Sequence, residues 1–394
     1  MKKILIAGGG IGGLAAALAL LKRGFDVEVY EQASELKEVG AGLQLSANAN
    51  RALFELGVGA ALQLLSCEAS AKEVRLWSTG DTWKLFDLGA QSVARYGYPY
   101  FTVYRPDLLT VLAADVRALK PGAIHLGARS RGFEQDADGV TLLLESGAAR
   151  GDVLIGADGV HSQIRQGLFG ADRPQFTGLM AWRGVIPMAR LPERMRRMVG
   201  TNWVGPGGHI VHYPLRAGQL MNFVGVRERG DWQVESWSVA GSIDECLADF
   251  AGWHEDIQLM IRAIDVPYKW ALKHRAPLPR WSVGRVSLLG DACHSTLPFL
   301  AQGAAMAIED GFILARALEA YADAGVALQH YEAARLARTT RMVEGAAANT
   351  KRFHNPELAH VEGARAYVEG EWNEARVKQR YEWLFTYDVT TVPV

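Results

Sequence analysis

In the stretch GGHIVHYPLRAGQLMNFVGV, strand alternation puts His209, Val211 and Tyr213 on one face and Ile210, His212 and Pro214 on the other. Two polar ring groups on one face can converge on a phenol. A second set lies at the start of the chain, where Gly8, Gly10 and Gly13 make a Gly-x-Gly-x-x-Gly turn. Gly8 permits the tight turn, Gly10 lets the backbone approach a pyrophosphate, and Gly13 lets helix and strand pack closely. Glu31 follows at about the 20-residue spacing at which an acid accepts a hydrogen bond from a ribose hydroxyl. By itself this set leaves NAD and FAD equally open. A third set ends two apolar runs, Asp158-Gly159 after DVLIGA and Gly290-Asp291 after RVSLL.

The elements that must carry these residues follow from period and punctuation. A strand over 3–7, a helix over 12–23 and a second strand ending at Glu31 form a β-α-β unit with a parallel pair. An extended stretch with Gly40 and Gly42 leads to a helix near 47–56 that Gly57 stops. Residues 72–100 alternate around a turn at Gly80-Asp81, as an excursion into another sheet would, and Pro106 opens a helix where its missing N–H costs nothing. A hairpin-like pair precedes the buried strand DVLIGA. Between about 175 and 283 the strands become rich in Trp, Arg and Tyr, marking a second lobe. After TLPFLAQG an Ala-rich helical region runs from about 303 to 350, Asn355-Pro356 breaks it, and one or two helices with a Trp and Tyr stripe fill 357–387. That stripe reads as packing rather than as a ligand site.

Composition narrows the function classes. With 394 residues and 49% hydrophobic content, two lobes are expected. Forty-two basic residues against 43 acidic ones, net charge -1, give no electrostatic case for nucleic acid or an anionic membrane. Cys67, Cys246 and Cys293 are far apart, without metal spacing, and suit buried positions in a reducing compartment. No apolar run reaches the ~20 residues of a membrane span. The glycines that interrupt the opening apolar run argue against a secretory signal, so a cytoplasmic, uncleaved chain is expected.

Together, the N-terminal turn, DVLIGADGVHSQIR and RVSLLGDACHSTLPFLAQGAAMAIED resemble the single-component FAD-dependent aromatic hydroxylases, the flavoprotein monooxygenases that include salicylate hydroxylase and 3-hydroxybenzoate 6-hydroxylase. The resemblance covers nearly the whole chain. It implies an α/β fold with a Rossmann-like FAD-binding lobe (1–71, 98–174 and 283–355), a second mixed or antiparallel β-sheet substrate lobe (72–97 and 175–282) and a helical C-terminal segment (356–394). By the same resemblance, Asp158-Gly159 serves FAD and the reduced nicotinamide, and Asp291 binds the flavin-side ribose. Asp291, following Gly290 at the end of a buried strand, can reach a sugar hydroxyl; its alternative role is to cap the next helix, a task Ser295 or Thr296 could take instead. Arg51 and Arg105 are family-like cofactor contacts, with a surface ion pair as the rival role for Arg51. Pro298 and the loop to Gly303 would lie against the isoalloxazine, and the helix N-terminus at Gly303 would favour an anionic reduced flavin.

On the substrate side, the family's histidine at the position of His209 takes a phenolic proton, a task that suits a histidine near its ordinary pKa of about 6.5. Pro298 stands where 3-hydroxybenzoate 6-hydroxylases commonly carry Gln, which weakens a para-hydroxylating reading. Arg183 and the Arg-rich PERMRRMVG are the places to seek a carboxylate partner, although the latter also reads as a solvated helix face. The expected activity is NAD(P)H- and O2-dependent hydroxylation of a small phenolic aromatic acid, of salicylate or hydroxybenzoate type, through a flavin C4a-hydroperoxide. Hydroxylation of a hydroxypyridine carboxylate or other heteroaromatic is the alternative, and a flavin redox carrier without oxygenase activity is the rival of another class. A monomer or homodimer is expected, with the aromatic C-terminal helices as the candidate dimer contact. His209→Ala is expected to leave a yellow, folded protein and to lower the hydroxylation rate by a factor on the order of 100 or more; an unchanged rate removes His209 from the mechanism.

Overall fold

The computed structural model describes residues 2–36, 41–231 and 239–394. Gly40, expected in the extended stretch, lies outside the described residues, as do residues 232–238 of the Trp-rich stretch expected as a second lobe. A five-stranded parallel sheet runs in the order Val286–Leu288, Val153–Gly156, Lys3–Ala7, Asp26–Tyr30 and Ile124–His125. Ile4 to Ala7 are fully buried, as the central strand of a doubly covered sheet requires. Helix Ile11–Leu21 is buried nearly all round because it is covered again by helix Gly303–Ala320. A Cβ on Gly311 would stand 2.7 Å from the Ala16 nitrogen, so the two helices meet backbone to backbone across small residues.

The second layer is a seven-stranded sheet in the order Tyr268–His274, Gln175–Pro187, Leu220–Glu228, Gly208–Leu215, Val199–Gly205, Ala71–Leu76 and Thr82–Asp87. All neighbours are antiparallel except Val199–Gly205 with Ala71–Leu76, so the sheet is mixed. The stretch around Gly80-Asp81 is thus a hairpin at the edge of this sheet. Its back is covered by helices Ile243–Asp249 and Glu255–Arg262 over Trp182, Trp203 and Phe250. Smaller antiparallel sheets, Ser130–Gln135 with Val140–Leu144 and Gly147–Gly151, and Gly42–Leu45 with Phe101–Tyr104 and Cys67–Glu68, complete the α/β architecture.

The expected helical region over 303–350 is two helices, Gly303–Ala320 and Ala324–Phe353, because the Asp323 carboxylate accepts from Val326 N–H and starts a new helix. Asn355 caps a short turn, and helices Val361–Glu371 and Glu374–Phe385 follow. PERMRRMVG makes only the one-turn Glu193–Met195 before the strand at Val199.

A buried ion network ties these layers together. Arg335 Nε lies 2.7 Å from Asp310 Oδ1, and its guanidinium is also 2.7 Å from Glu309, which pairs with Arg338 at 2.8 Å. Asp310 Oδ2 binds His294 Nε2 at 2.6 Å and accepts from Gly290 N–H at 3.1 Å, while Asn48 donates to Glu309 at 2.6 Å. One network therefore fixes both long helices, the Gly290 turn and the helix Ala47–Glu55. Burial acts to raise both carboxyls, but Arg338 and Arg335 beside Glu309, and His294 and Arg335 beside Asp310, hold them below their ordinary values. Carboxyls lowered in the native state stabilise above their unfolded pKa near 4 and lose that contribution as pH falls through the native values. Arg335→Ala, which leaves two buried carboxylates short of a partner, is expected to cost about 3–5 kcal/mol in chemical denaturation at pH 7. Acidification below pH 4 should shrink the difference between variant and parent.

Candidate active site

Between the two large sheets lies a cavity of about 400 Å³. Its floor is the glycine turn. A Cβ on Gly13 would stand 2.0 Å from the Gly8 carbonyl oxygen, and one on Gly8 2.3 Å from that of Ala157, so both are sites of close packing beneath the cavity. Gly10 lines the cavity, and a Cβ there meets no atom within 4 Å. The space above Gly10 is left for a ligand. Helix Ile11–Leu21 starts at Gly10 and helix Gly303–Ala320 at Gln302, both without a side-chain cap and without an acid in the first turn. Their first N–H groups thus present partial positive charge at two places on the cavity wall.

Of the expected cofactor contacts, Gly10, Arg105, Gly159, Gly290, Asp291 and Gly303 line the cavity, as does Pro298. Gly290, at φ +64°, occupies the cap position of the short helix Asp291–His294. Asp291 is therefore not the cap, and its exposed carboxylate makes no hydrogen bond among the described residues. Ser295 and Thr296 do not cap the helix that begins at Gly303 either. Glu31 stands beside the turn, but its carboxylate accepts from Gly9 N–H at 2.7 Å and Ala33 N–H at 2.8 Å. Asp158 accepts from Gln163 N–H at 2.7 Å, Ile164 N–H at 3.2 Å and Ser162 Oγ, and so stabilises the start of helix Gln163–Phe169; burial raises its pKa despite these bonds.

Arg51 takes the ion pair that was the rival to a cofactor contact. Its guanidinium donates to the Tyr387 carbonyl at 2.9 Å and the Tyr96 carbonyl at 3.1 Å and pairs with Asp388, outside the cavity lining, so it clasps the C-terminal segment. The loop over the cavity carries Ala301 at φ 54°, a left-handed conformation that costs a non-glycine residue about 1–2 kcal/mol. Such strain is held where surrounding packing over-determines it.

The roof is the cavity-facing side of the seven-stranded sheet. His209, Val211 and Tyr213 all line it, as alternation requires, while His212 faces the back of the sheet. His209 does not sit near its ordinary pKa: burial first, then His354 and the Lys72 charge, push it well down, so its ring is neutral. Its Nδ1 lies 2.7 Å from His354 Nε2. Tyr213 is buried, and its phenol is pushed up, so it remains a donor.

Three groups missed in the sequence complete this wall. Lys72 lies with its alkyl chain 3.3 Å from the Cβ position of Gly200 and donates to Gln44 Oε1 at 2.9 Å, and Tyr100 donates to the same oxygen at 3.0 Å. Lys72 faces no carboxylate within ion-pair distance among the described residues, and burial brings its ammonium down to about 8. Arg183 also lines the cavity, with its guanidinium 5.7 Å and 5.5 Å from the Tyr268 and Trp270 rings. The arginines of PERMRRMVG do not reach the cavity: Arg194 pairs with Asp256 at 2.8 Å and Arg197 with Glu73 at 2.7 Å, while Arg196 donates to the Leu191 carbonyl. The aromatic stripe is corrected in the other direction. Trp372, Tyr381 and Phe385 line the cavity with Phe353, closing its far end as well as packing the C-terminal helices.

The FAD binding domain family matches residues 1–346. The chain belongs to this family. Among its relatives, 3-amino-4-hydroxybenzoate 2-monooxygenase of Streptomyces platensis is 37% identical over 99% of this chain and 97% of its own. The 3-hydroxybenzoate 6-hydroxylase of Polaromonas naphthalenivorans is 36% identical over 98% and 96%. A solved structure of Klebsiella pneumoniae HpxO with FAD and uric acid superposes with a TM-score of 0.84 at 28% identity, over 100% of this chain and 97% of its own. The flavoprotein is an FAD-dependent aromatic monooxygenase that uses NAD(P)H and O2, and its two-sheet architecture with a helical C-terminus is that of the FAD-dependent hydroxylases.

The residues fit the cofactor on their own geometry: open space above Gly10 admits a close backbone approach, the two uncapped helix starts suit phosphate, and the Asp291 carboxylate, with no donor among the described residues, can accept from a sugar hydroxyl. Among the described residues, no helix is long and apolar enough to cross a membrane. Gly10→Ala is expected to fold like the parent but to lose FAD affinity by tenfold or more, about 1.4 kcal/mol, read from flavin content and equilibrium titration of the apoprotein. Gly13→Ala, by contrast, should lower the melting temperature of the apoprotein itself.

Proposed function

We propose that this monooxygenase hydroxylates a small phenolic aromatic acid of hydroxybenzoate type. The observation that carries the reading is Lys72, a cation in the cavity wall with no carboxylate of the described protein beside it. A half-buried ammonium without a counter-ion is partly desolvated at a cost, and a ligand carboxylate offsets that cost by pairing with it. Lys72 suits this role better than Arg183, whose guanidinium is engaged over two aromatic rings. Phe353, Trp372 and Phe385 give a flat ring an apolar surround and keep water out.

The chemistry supplied by FAD, once reduced by NAD(P)H, is activation of O2 for insertion of one oxygen atom into an electron-rich ring, the other leaving as water. The chain's own part is to bind, orient and deprotonate. Lys72 and Gln44 hold the carboxylate end, Tyr100 stays protonated and donates to Gln44, and Tyr213 stays protonated as a donor at the cavity face. Neutral His209, with Nδ1 committed to His354, offers Nε2 to a phenolic proton at the cavity face. The relatives act on 3-amino-4-hydroxybenzoate and 3-hydroxybenzoate by name, and 6-hydroxynicotinate 3-monooxygenase of Bordetella bronchiseptica, 33% identical over 100% of this chain and 97% of its own, marks the pyridine alternative. All three substrates share a ring, a carboxylate and a hydroxyl.

The test is NADH and O2 consumption with a panel of hydroxybenzoates, aminohydroxybenzoates and hydroxynicotinates, each product identified by mass. A product heavier by one oxygen is expected, and the best substrate names the ring. Lys72→Met should raise KM for that acid by roughly 10–100-fold, about 1.4–2.7 kcal/mol, and leave KM for its carboxamide within about threefold. Because the Lys72 ammonium is lost as pH rises through about 8, KM for the acid should rise above that pH in the parent and stay flat in the variant. Equal KM effects on acid and carboxamide would remove Lys72 from carboxylate binding.

A further inference from the structure

We propose that His209, His354 and Glu228 form a proton exit that joins the aromatic substrate cavity to solvent. The inference rests on the preceding reading that a phenolic proton is removed at His209. Three elements supply the three groups. His209 stands on strand Gly208–Leu215 in the cavity roof and is 1% exposed. His354 follows the last residue of helix Ala324–Phe353, and its Nε2 lies 2.7 Å from His209 Nδ1. Glu228 ends strand Leu220–Glu228, and its Oε1 lies 3.1 Å from His354 Nδ1. The Glu228 side chain is 56% exposed, so the hydrogen-bonded series begins at a sealed wall and ends in water.

The surrounding structure fixes this alignment. His209 is opposite Val226 in the sheet register, which puts Glu228 two residues further along the neighbouring strand. Gly207 N–H donates to the His354 carbonyl at 3.4 Å, and Glu228 N–H donates to the Gly207 carbonyl at 3.0 Å, so one turn holds the backbones of both outer groups. Phe299 and Phe353 pack on the His209 ring with centroids at 4.8 and 5.0 Å.

The donor and acceptor roles follow from the far end. A carboxylate only accepts, so His354 must donate from Nδ1 to Glu228. A neutral His354 then has its lone pair on Nε2, His209 must donate to it from Nδ1, and the lone pair of His209 is left on Nε2. This is the tautomer that can take a proton from a phenol in the cavity. Burial keeps both rings neutral: it takes His354 down to about 4 against the opposing pull of Glu228, with Arg227 adding to the lowering, and it acts on His209 together with His354 and Lys72. A base pushed this far down cannot store a proton, and the exit removes that need.

The transfer balances without any further reagent. The phenol O–H bond breaks and an N–H bond forms at His209 Nε2. The Nδ1 proton of His209 passes to His354 Nε2, the Nδ1 proton of His354 passes to the Glu228 carboxylate, and that proton leaves to water. One proton has moved from phenol to solvent, and no electrons have been gained or lost overall.

Two measurements on the FAD-loaded protein test this. The first needs no substrate: nitrogen-15 NMR of labelled histidines at pH 7 should show both His209 and His354 protonated at Nδ1, with assignments from His209→Gln and His354→Gln. An Nε2-protonated form of either residue overturns the exit. The second mixes oxidised holoenzyme rapidly with 3-hydroxy-4-nitrobenzoate, whose phenolate absorbs in the visible, and follows its ionisation in the site. Glu228→Gln is expected to slow ionisation by about tenfold or more, and Glu228→Asp to recover part of the rate. His354→Ala should show a similar loss that added imidazole reverses with concentration, which a merely structural role would not produce. Ionisation at the parent rate in folded, yellow Glu228→Gln and His354→Ala overturns the proposal. Failure of the probe to bind counts against the aromatic acid reading alone, and the tautomers then decide the exit.

Discussion

A β-strand has two faces, and the seven-stranded sheet must give one to its own core and the other to the cavity. Every side chain that the sheet puts on the cavity roof depends on this division. Trp203, Ile210 and His212 go to the back, while Lys72, Asn202, His209 and Tyr213 go to the front. A one-residue slip of strand Gly208–Leu215 would exchange His209 for Ile210 or Gly208 in the roof. The register is guarded from the other side by the packing of Trp182, Trp203 and Phe250, so a hydrophobic core that never meets a ligand sets the polar face that does.

The opposite wall works by close approach rather than alternation. Gly8 and Gly13 bring strand, turn and helix so near that no side chain fits between them, so at Gly10 the turn meets the cavity with its backbone. The Glu309, Asp310, Arg335 and Arg338 network then holds the second uncapped helix and the Gly290 turn in a fixed relation. Buried charge contributes little net stability once desolvation is counted, but its directional bonds permit few arrangements. In this protein it sits between the glycine-turn wall of the cavity and the C-terminal helices that also line it.

What could be read from the sequence divides along the same physical line. The glycine turn was legible because every residue that defines it lies in one contiguous segment. The facing of His209 and Tyr213 was legible because period two needs no knowledge of the neighbouring strands. Lys72 was not, since its surroundings come from strand Val199–Gly205 and from Gln44, remote segments brought together only by the sheet. His354 was hidden beside the Asn355-Pro356 break, which reads as punctuation. Trp372, Tyr381 and Phe385 showed a helical stripe, and such a stripe is the same whether it covers a core or a cavity. Arg51 carries no mark in the sequence that the Tyr387 carbonyl will claim it. The pKa of His209 depends on burial, which residue type alone does not disclose.

The most direct measurement is proton uptake when benzoate binds to the FAD-loaded protein, obtained by calorimetry in buffers of different ionisation enthalpy. Benzoate carries the carboxylate but no phenolic proton, so the His209 side stays silent. If Lys72, with its ammonium near 8, is the anchor, binding raises its affinity for a proton, and uptake should be small at pH 7 and approach one proton per site at pH 9. Binding without uptake across that range, or with proton release, would contradict a carboxylate seated on Lys72.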